Sequence, residues 1–239
     1  MRYFDAHVIA PELFPNTIPS QLIGGILFGP SAVKRRREFA RHAQLWCHAA
    51  PLTSLIEPPV EIYSGYEPTV IDLQLTDEKL SHYLQLPVED WWPLAGTSRG
   101  KKRLLRLTLP AGAAPVASLR RIIRSYPQTL FIIDAFRHGP VSGWQAQVGL
   151  GEFANVRLTT VGMVPGVICR WTQAGEIREA LHYAAGEVGA GKILYASGLP
   201  WNDGVALFNA SNWLAGFNIL DEDQQTLILE HNARELFIC

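Results

Sequence analysis

Tyr3-Phe4-Asp5-Ala6-His7-Val8 stands at one end of the chain and Lys192-Ile193-Leu194-Tyr195-Ala196-Ser197-Gly198-Leu199-Pro200 near the other. Both are apolar, β-rich runs that stop at polar or glycine-bearing segments, as a buried strand does where it meets a loop. Working inward, the same pattern predicts eight strands, over residues 3–8, 25–28, 60–63, 70–75, 104–109, 130–135, 156–160 and 193–196. Helix-like stretches fall between several of them. Ser31 can cap a helix running through Phe39 and Ala43, and Thr76 followed by Asp77 and Glu78 marks another start. Leu119, Ile122, Ile123 and Tyr126 form the stripe of a helix lying on a sheet. Asp221, with Gln224 three residues on, reads as a capping box for the last helix. Alternation of this kind favours a parallel α/β architecture, and eight strands suit a closed (β/α)8 barrel.

At 239 residues the chain has the length of one such barrel with few insertions. No low-complexity linker divides it, so residues 1–239 are expected to form one domain. A net charge of -1 gives no electrostatic reason to expect nucleic acid or an anionic membrane as partner. The basic runs at residues 34–37 and 99–103 read as solvated faces. Cys47, Cys169 and Cys239 lie far apart and show neither a zinc pattern nor a disulfide framework. No apolar run approaches the ~18 residues of a membrane span, and no signal-peptide layout is present, so the cytoplasm is the expected location. Residues 186–192 have the G-x4-G-K spacing of a phosphate-binding loop, but the segment leads into a strand where such a loop needs a helix.

The two opening strings, with Asn232-Ala233-Arg234-Glu235-Leu236-Phe237, resemble signature segments of the amidohydrolase-related family of (β/α)8 barrels, and they occur in that family's order. The resemblance implies a TIM barrel and, for an intact member, a divalent metal at the barrel mouth. In the family the first string ends His-x-His; here His7 is kept and Ile9 takes the second place. The family's late strand carries an Asp that is both ligand and proton acceptor, and Gly198 stands there. Residues 130–139 resemble a later strand ending Asp-His and then Gly, with Ala135 at the histidine position; Thr108 matches a further family histidine. Four of these five ligand positions differ, so the expectation is a degenerate metal site with no metal or cofactor assigned.

In a parallel barrel the reacting groups gather where strands end. His7 ends the first strand, Asp134 the sixth, and Trp201 and Asp203 follow the eighth, so all four are expected around one pocket. His138 lies three residues beyond Ala135 and stands as a replacement for the missing imidazole. Arg137 offers a guanidinium suited to a carboxylate. Each has a plainer reading: His7 as a hydrogen-bonded mouth histidine, Asp134 as a loop anchor, Arg137 as a salt bridge, the tryptophans as seals. Metal-independent lactonases occur in the broad family, so the resemblance implies a lactone or carboxylated ring as substrate, with His7, Asp203 and His138 as catalytic candidates. Arg137, Asp134 and Trp201 would bind substrate. The alternative is a non-catalytic barrel that holds a small molecule or a partner protein; a homo-oligomer is compatible with either. The last segment, Asn232–Phe237, is expected to dock the final helix and to take no part in chemistry.

Overall fold

Strand formation follows the apolar runs through the residues that the computed structural model describes: 3–9, 22–28, 45–52, 70–73, 76–91, 103–112, 114–140, 143–163, 171, 173–200 and 220–237. They form β1 (Tyr3–Ile9), β2 (Leu22–Phe28), β3 (Leu45–Leu52), β4 (Val70–Leu73), β5 (Leu104–Leu107), β6 (Leu130–Ile133), β7 (Val156–Thr159), β8 (Ile193–Leu194) and β9 (Leu199–Pro200). All neighbours are parallel, in the order β8-β7-β6-β5-β4-β3-β2-β1-β9. The two outermost strands are the two ends of a single segment, residues 193–200. Its start pairs with β7 and its end with β1, and in between the Ala6 N–H donates to the Tyr195 carbonyl at 2.8 Å. That segment is the eighth stave, and the fold is a (β/α)8 TIM barrel.

Alternation along a strand sorts side chains into two layers. Phe4, Ala6, Ile26, Phe28, Val70, Ile132 and Leu194 form one buried cluster, the lumen. Leu27, Ile71, Leu105, Leu107, Phe131, Ile133 and Leu158 turn the other way and pack on helices. The helices are α1 (Asp77–Tyr83), α2 (Ala114–Ser125), α3 (Trp144–Val148), α4 (Ala174–Val188), α5 (Glu222–Thr226) and α6 (Asn232–Phe237), with a π-helical turn, Leu227–His231, between the last two. On α2 the stripe Leu119, Ile122 and Ile123 is wholly buried, as its spacing predicts. Thr76 caps α1 by accepting from the Lys79 N–H, and the Asp221–Gln224 capping box opens α5. Asn232 donates its amide to the carbonyls of Ala190 and Ile193, while Phe237 stacks on Phe4 at 5.3 Å. These contacts give the last helix the docking role expected of it.

Three strand expectations need correction. The third strand is Leu45–Leu52, which pairs with both β2 and β4, so residues 60–63 do not fill that place and lie outside the described residues. Its sequence hides it: Ala49-Ala50-Pro51 contains weak strand formers and a residue with no N–H to give. β2 begins three residues earlier than expected, because Gly24-Gly25 reads as a break yet continues the ladder. The eighth strand leaves its ladder after Leu194, where side chains take over. The Thr160 hydroxyl pairs with both the N–H and the carbonyl of Ala196, and the Asp5 carboxylate accepts the Ser197 N–H. Gly198 then turns at φ 67, a left-handed conformation that suits glycine. The expected helix through Phe39 and Ala43 lies outside the described residues.

Candidate functional site

Arg106 is the centre of the lumen's polar cluster. Its neighbours Leu105 and Leu107 pack outward, so strand alternation turns Arg106 inward, where its guanidinium lies 4.6 Å from the centre of the Phe28 ring. Directly across the ladder, Asp72 accepts from Arg106 Nη1 at 2.7 Å. On the other side Asp134, one residue past β6, accepts from both Nε (3.2 Å) and Nη2. Two hydroxyls complete the carboxylate's partners: Thr108 donates to one oxygen at 3.0 Å, and Thr159 donates to the other at 2.7 Å. Asp134 is fully buried, and Asp72 and Arg106 nearly so. Burial pulls the Arg106 pKa down, but the Asp134 and Asp72 carboxylates outweigh it and raise the value above the ordinary one. The guanidinium therefore stays charged. Removing one partner from a buried pair of this kind typically costs about 3–5 kcal/mol, because an uncompensated charge remains.

The loops leaving β5, β6 and β7 lock together above this cluster. After Asp134 the chain turns, with the Arg137 N–H on the Asp134 carbonyl at 3.3 Å and the Gly139 N–H on the Phe136 carbonyl at 3.1 Å. His138 Nε2 lies 2.6 Å from the Leu109 carbonyl. A carbonyl can only accept, so that nitrogen carries the proton and Nδ1 is the ring's other face. Arg137 Nη1 stands 4.0 Å from Asp134, its side chain 37% exposed. The Trp171 indole donates to the Phe136 carbonyl at 2.9 Å. Gly162, at φ 95, brings its backbone so close to Phe136 and Arg137 that a Cβ there would sit 2.7 Å from atoms of each.

Of the expected site residues, the structure brings Asp134, Arg137 and His138 together. Asp134 serves as the loop anchor, and Arg137 forms the long ion pair with it. His7 lies on β1 at a bulge, where the three steps from Asp5 to Val8 face two on β2. A bulge resets which face a strand's residues present, so simple alternation does not carry past it. Trp201 and Asp203 lie outside the described residues. At the positions where the resemblance led us to expect ligands, Thr108 is engaged with Asp134, Ala135 packs in the helix-facing layer, and Gly198 has no side chain. Among the described residues no group of three His, Cys, Asp or Glu side chains is placed to hold a metal.

Other signals resolve as structure. Trp91 is buried and donates to the Tyr83 carbonyl, while Trp144 and Trp171 pack edge to face at 5.6 Å. Residues 186–192 run from the end of α4 into β8, and Lys192 Nζ binds the carbonyls of Phe153 and Ala154. Burial, with Arg157 beside it, lowers the Lys192 pKa. What sequence reasoning missed was Asp72 and Thr159, and the role of Arg106. The signal was there as lone charges inside apolar strands: Val70-Ile71-Asp72-Leu73, Leu104-Leu105-Arg106-Leu107 and Ile132-Ile133-Asp134.

No family model matches the chain, and no curated protein matches it in sequence. Solved structures do match along its whole length. An amidohydrolase from Burkholderia multivorans with bound zinc superposes with TM-score 0.66 at 12% identity, over 100% of this chain and 99% of that one. A probable 2-pyrone-4,6-dicarboxylic acid hydrolase from Acinetobacter baumannii, with citric acid bound, gives TM-score 0.66 at 15% identity over 100% of both chains. A 2,6-dihydroxybenzoate decarboxylase from Rhizobium gives TM-score 0.57 at 13% identity, over 100% of this chain and 99% of that one. With the parallel ladder of β1 to β9, these likenesses show that the chain shares the TIM-barrel fold of those structures.

Proposed function

We propose that residues 1–239 form one barrel domain that hydrolyses a lactone or a carboxylated ring without a catalytic metal. The observation that supports this reading is that two guanidiniums stand among the described residues at the strand ends. Arg106 is locked between Asp72 and Asp134, and half-buried Arg137 stands over Asp134 with His138 beside it. A catalytic zinc normally needs three protein ligands, and Ile9, Thr108, Ala135 and Gly198 do not fit that need. Arg137 would meet a substrate carboxylate with its planar fork. His7 and Asp203 would then share the proton work: one takes a proton from water as its oxygen adds to the ester carbonyl, and the other gives a proton to the ring oxygen as the carbon–oxygen bond breaks. The Acinetobacter neighbour, described as acting on a ring dicarboxylate, supports this substrate class.

A second reading has its own support. Asp134 accepts from three side chains and is buried, so it is no free base, which favours a barrel that binds a carboxylated ligand without turning it over. The test is chelator-treated protein, with metal content measured, incubated with 2-pyrone-4,6-dicarboxylate while ring absorbance is followed. Turnover without metal supports the hydrolase, and saturable binding without turnover supports the second reading. Turnover that needs added zinc or manganese overturns the metal-free account.

A further inference from the structure

We propose that Arg106 is a positioning residue, the built-in cation that organises this mouth. This role rests on the reading that the site works without an ion. The Arg106 side chain is 4% exposed and its guanidinium is engaged with two carboxylates, so in this role it acts through what it holds. Its fork grips Asp134 by Nε and Nη2 while Nη1 holds Asp72, so one group joins β4, β5 and β6. From Asp134 the ordering passes into the loop, because its carbonyl takes the Arg137 N–H that opens the turn. A second branch returns from His138 to the Leu109 carbonyl, one residue past Thr108, which is itself on Asp134. Arg137 and His138 are thus placed by a closed ring of contacts whose only buried cation is Arg106 among the described residues.

The charges on the described residues favour a cation at this place. Asp72 and Asp134 converge on one guanidinium in a low-dielectric lumen, and its loss removes from both carboxylates the charge that favours their ionised form. A lysine cannot replace it, since one ammonium on a flexible stem does not span two carboxylates with the fixed geometry of a fork. The guanidinium gathers acidic groups from several strands, the task that a bound ion performs in a metal-centred barrel mouth.

The test is amide hydrogen exchange at residues 134–139, read without any ligand, in the parent, Arg106→Gly and Arg106→Lys. Loss of charge-assisted bonds should speed exchange at Arg137 and Gly139 by about tenfold or more in both variants. Millimolar guanidinium should restore the parental rate in Arg106→Gly, and methylammonium should not. Binding of 2-pyrone-4,6-dicarboxylate should weaken and recover in the same pattern. Should Arg106→Gly fail to fold, Arg106→Lys keeps a positive charge and carries the comparison. Parental exchange rates in Arg106→Lys would overturn the proposal, as would a parent whose loop loosens on chelation. If the parent binds none of the dicarboxylate, the substrate reading fails while the exchange data still decide the role of Arg106.

Discussion

The Asp5 carboxylate accepts the Ser197 N–H at 2.9 Å, although 192 residues separate them in sequence. Beside it the Ala6 N–H reaches the Tyr195 carbonyl, and further on Val8 and Ile9 pair with Leu199 and Pro200, so a side chain reinforces the ladder between the first and eighth staves. Asp5 is fully buried. Asp5→Ala leaves the Ser197 N–H without its acceptor and should lower stability by about 1–3 kcal/mol. Asp5→Asn keeps an acceptor oxygen and should lose less. Urea denaturation checks this, and equal losses in the two variants would show that the bond to Ser197 is not the source.

Gly162 and Gly112 both have positive φ, at 95 and 107, but only Gly162 is crowded. A Cβ on Gly112 meets nothing within 4 Å, whereas one on Gly162 lands on Phe136 and Arg137. Both alanine variants carry the cost of a left-handed residue, on the order of 1–2 kcal/mol. Gly162→Ala should be the more destabilising of the two and should also disturb the Arg137 turn. Thermal melting separates them; a Gly112→Ala loss as large as that of Gly162→Ala would leave crowding with no effect.

Tyr195 is buried, and its phenol pKa is pushed well above the ordinary tyrosine value by burial, with Asp5 and then Tyr3 adding to it. In the unfolded chain it titrates near pH ~10. Above that pH the unfolded state loses a proton that the folded state keeps, so this group's contribution to stability falls as pH rises. Absorbance titration of the phenolates should show Tyr195 ionising only on unfolding. Tyr195→Phe should flatten the alkaline fall in stability; an unchanged alkaline limb would assign that fall to other groups.

Restoring metal ligands at Ile9, Ala135 and Gly198 is the direct test of the vanished-site account, and the structure changes its design. Asp is among the residues that tolerate the left-handed region found at Gly198. Ala135, by contrast, is 2% exposed in the helix-facing core, where histidine would overpack. Ile9→His with Gly198→Asp should raise zinc affinity above that of the parent, and adding Ala135→His should lower the melting temperature without raising affinity further. Calorimetric zinc titration reads both. A parent that already binds zinc as tightly as the double variant would defeat the account.

The barrel was legible wherever a strand is a bounded apolar run, as at Leu130–Ile133 with Asp134 closing it. It was not legible at Leu45–Leu52, because periodicity cannot separate a largely apolar strand containing Ala-Ala-Pro from the end of a helix. The split of the last stave was hidden too: the bonds that end its ladder come from Thr160 and Asp5, each remote in sequence. For the candidate site, strand-end position and the family resemblance named Asp134, Arg137 and His138, and the fold places them on one turn after β6. The partner of a buried charge depends on which strands are neighbours, so the bond from Arg106 to Asp72 became visible only with the register.

The seam at residues 193–200 also sets a timetable for synthesis. One side of β1 pairs with β2 early, but its other side waits for Tyr195, Leu199 and Pro200. Translation at about 5–20 residues per second delivers the 192 residues between Asp5 and Ser197 in roughly 10–40 s. For that interval the nascent chain carries an open strand edge, a template on which another chain can pair. Losses during expression should therefore fall mainly on ribosome-bound and newly released chains, and they should track the speed of elongation more closely than the stability of the closed barrel.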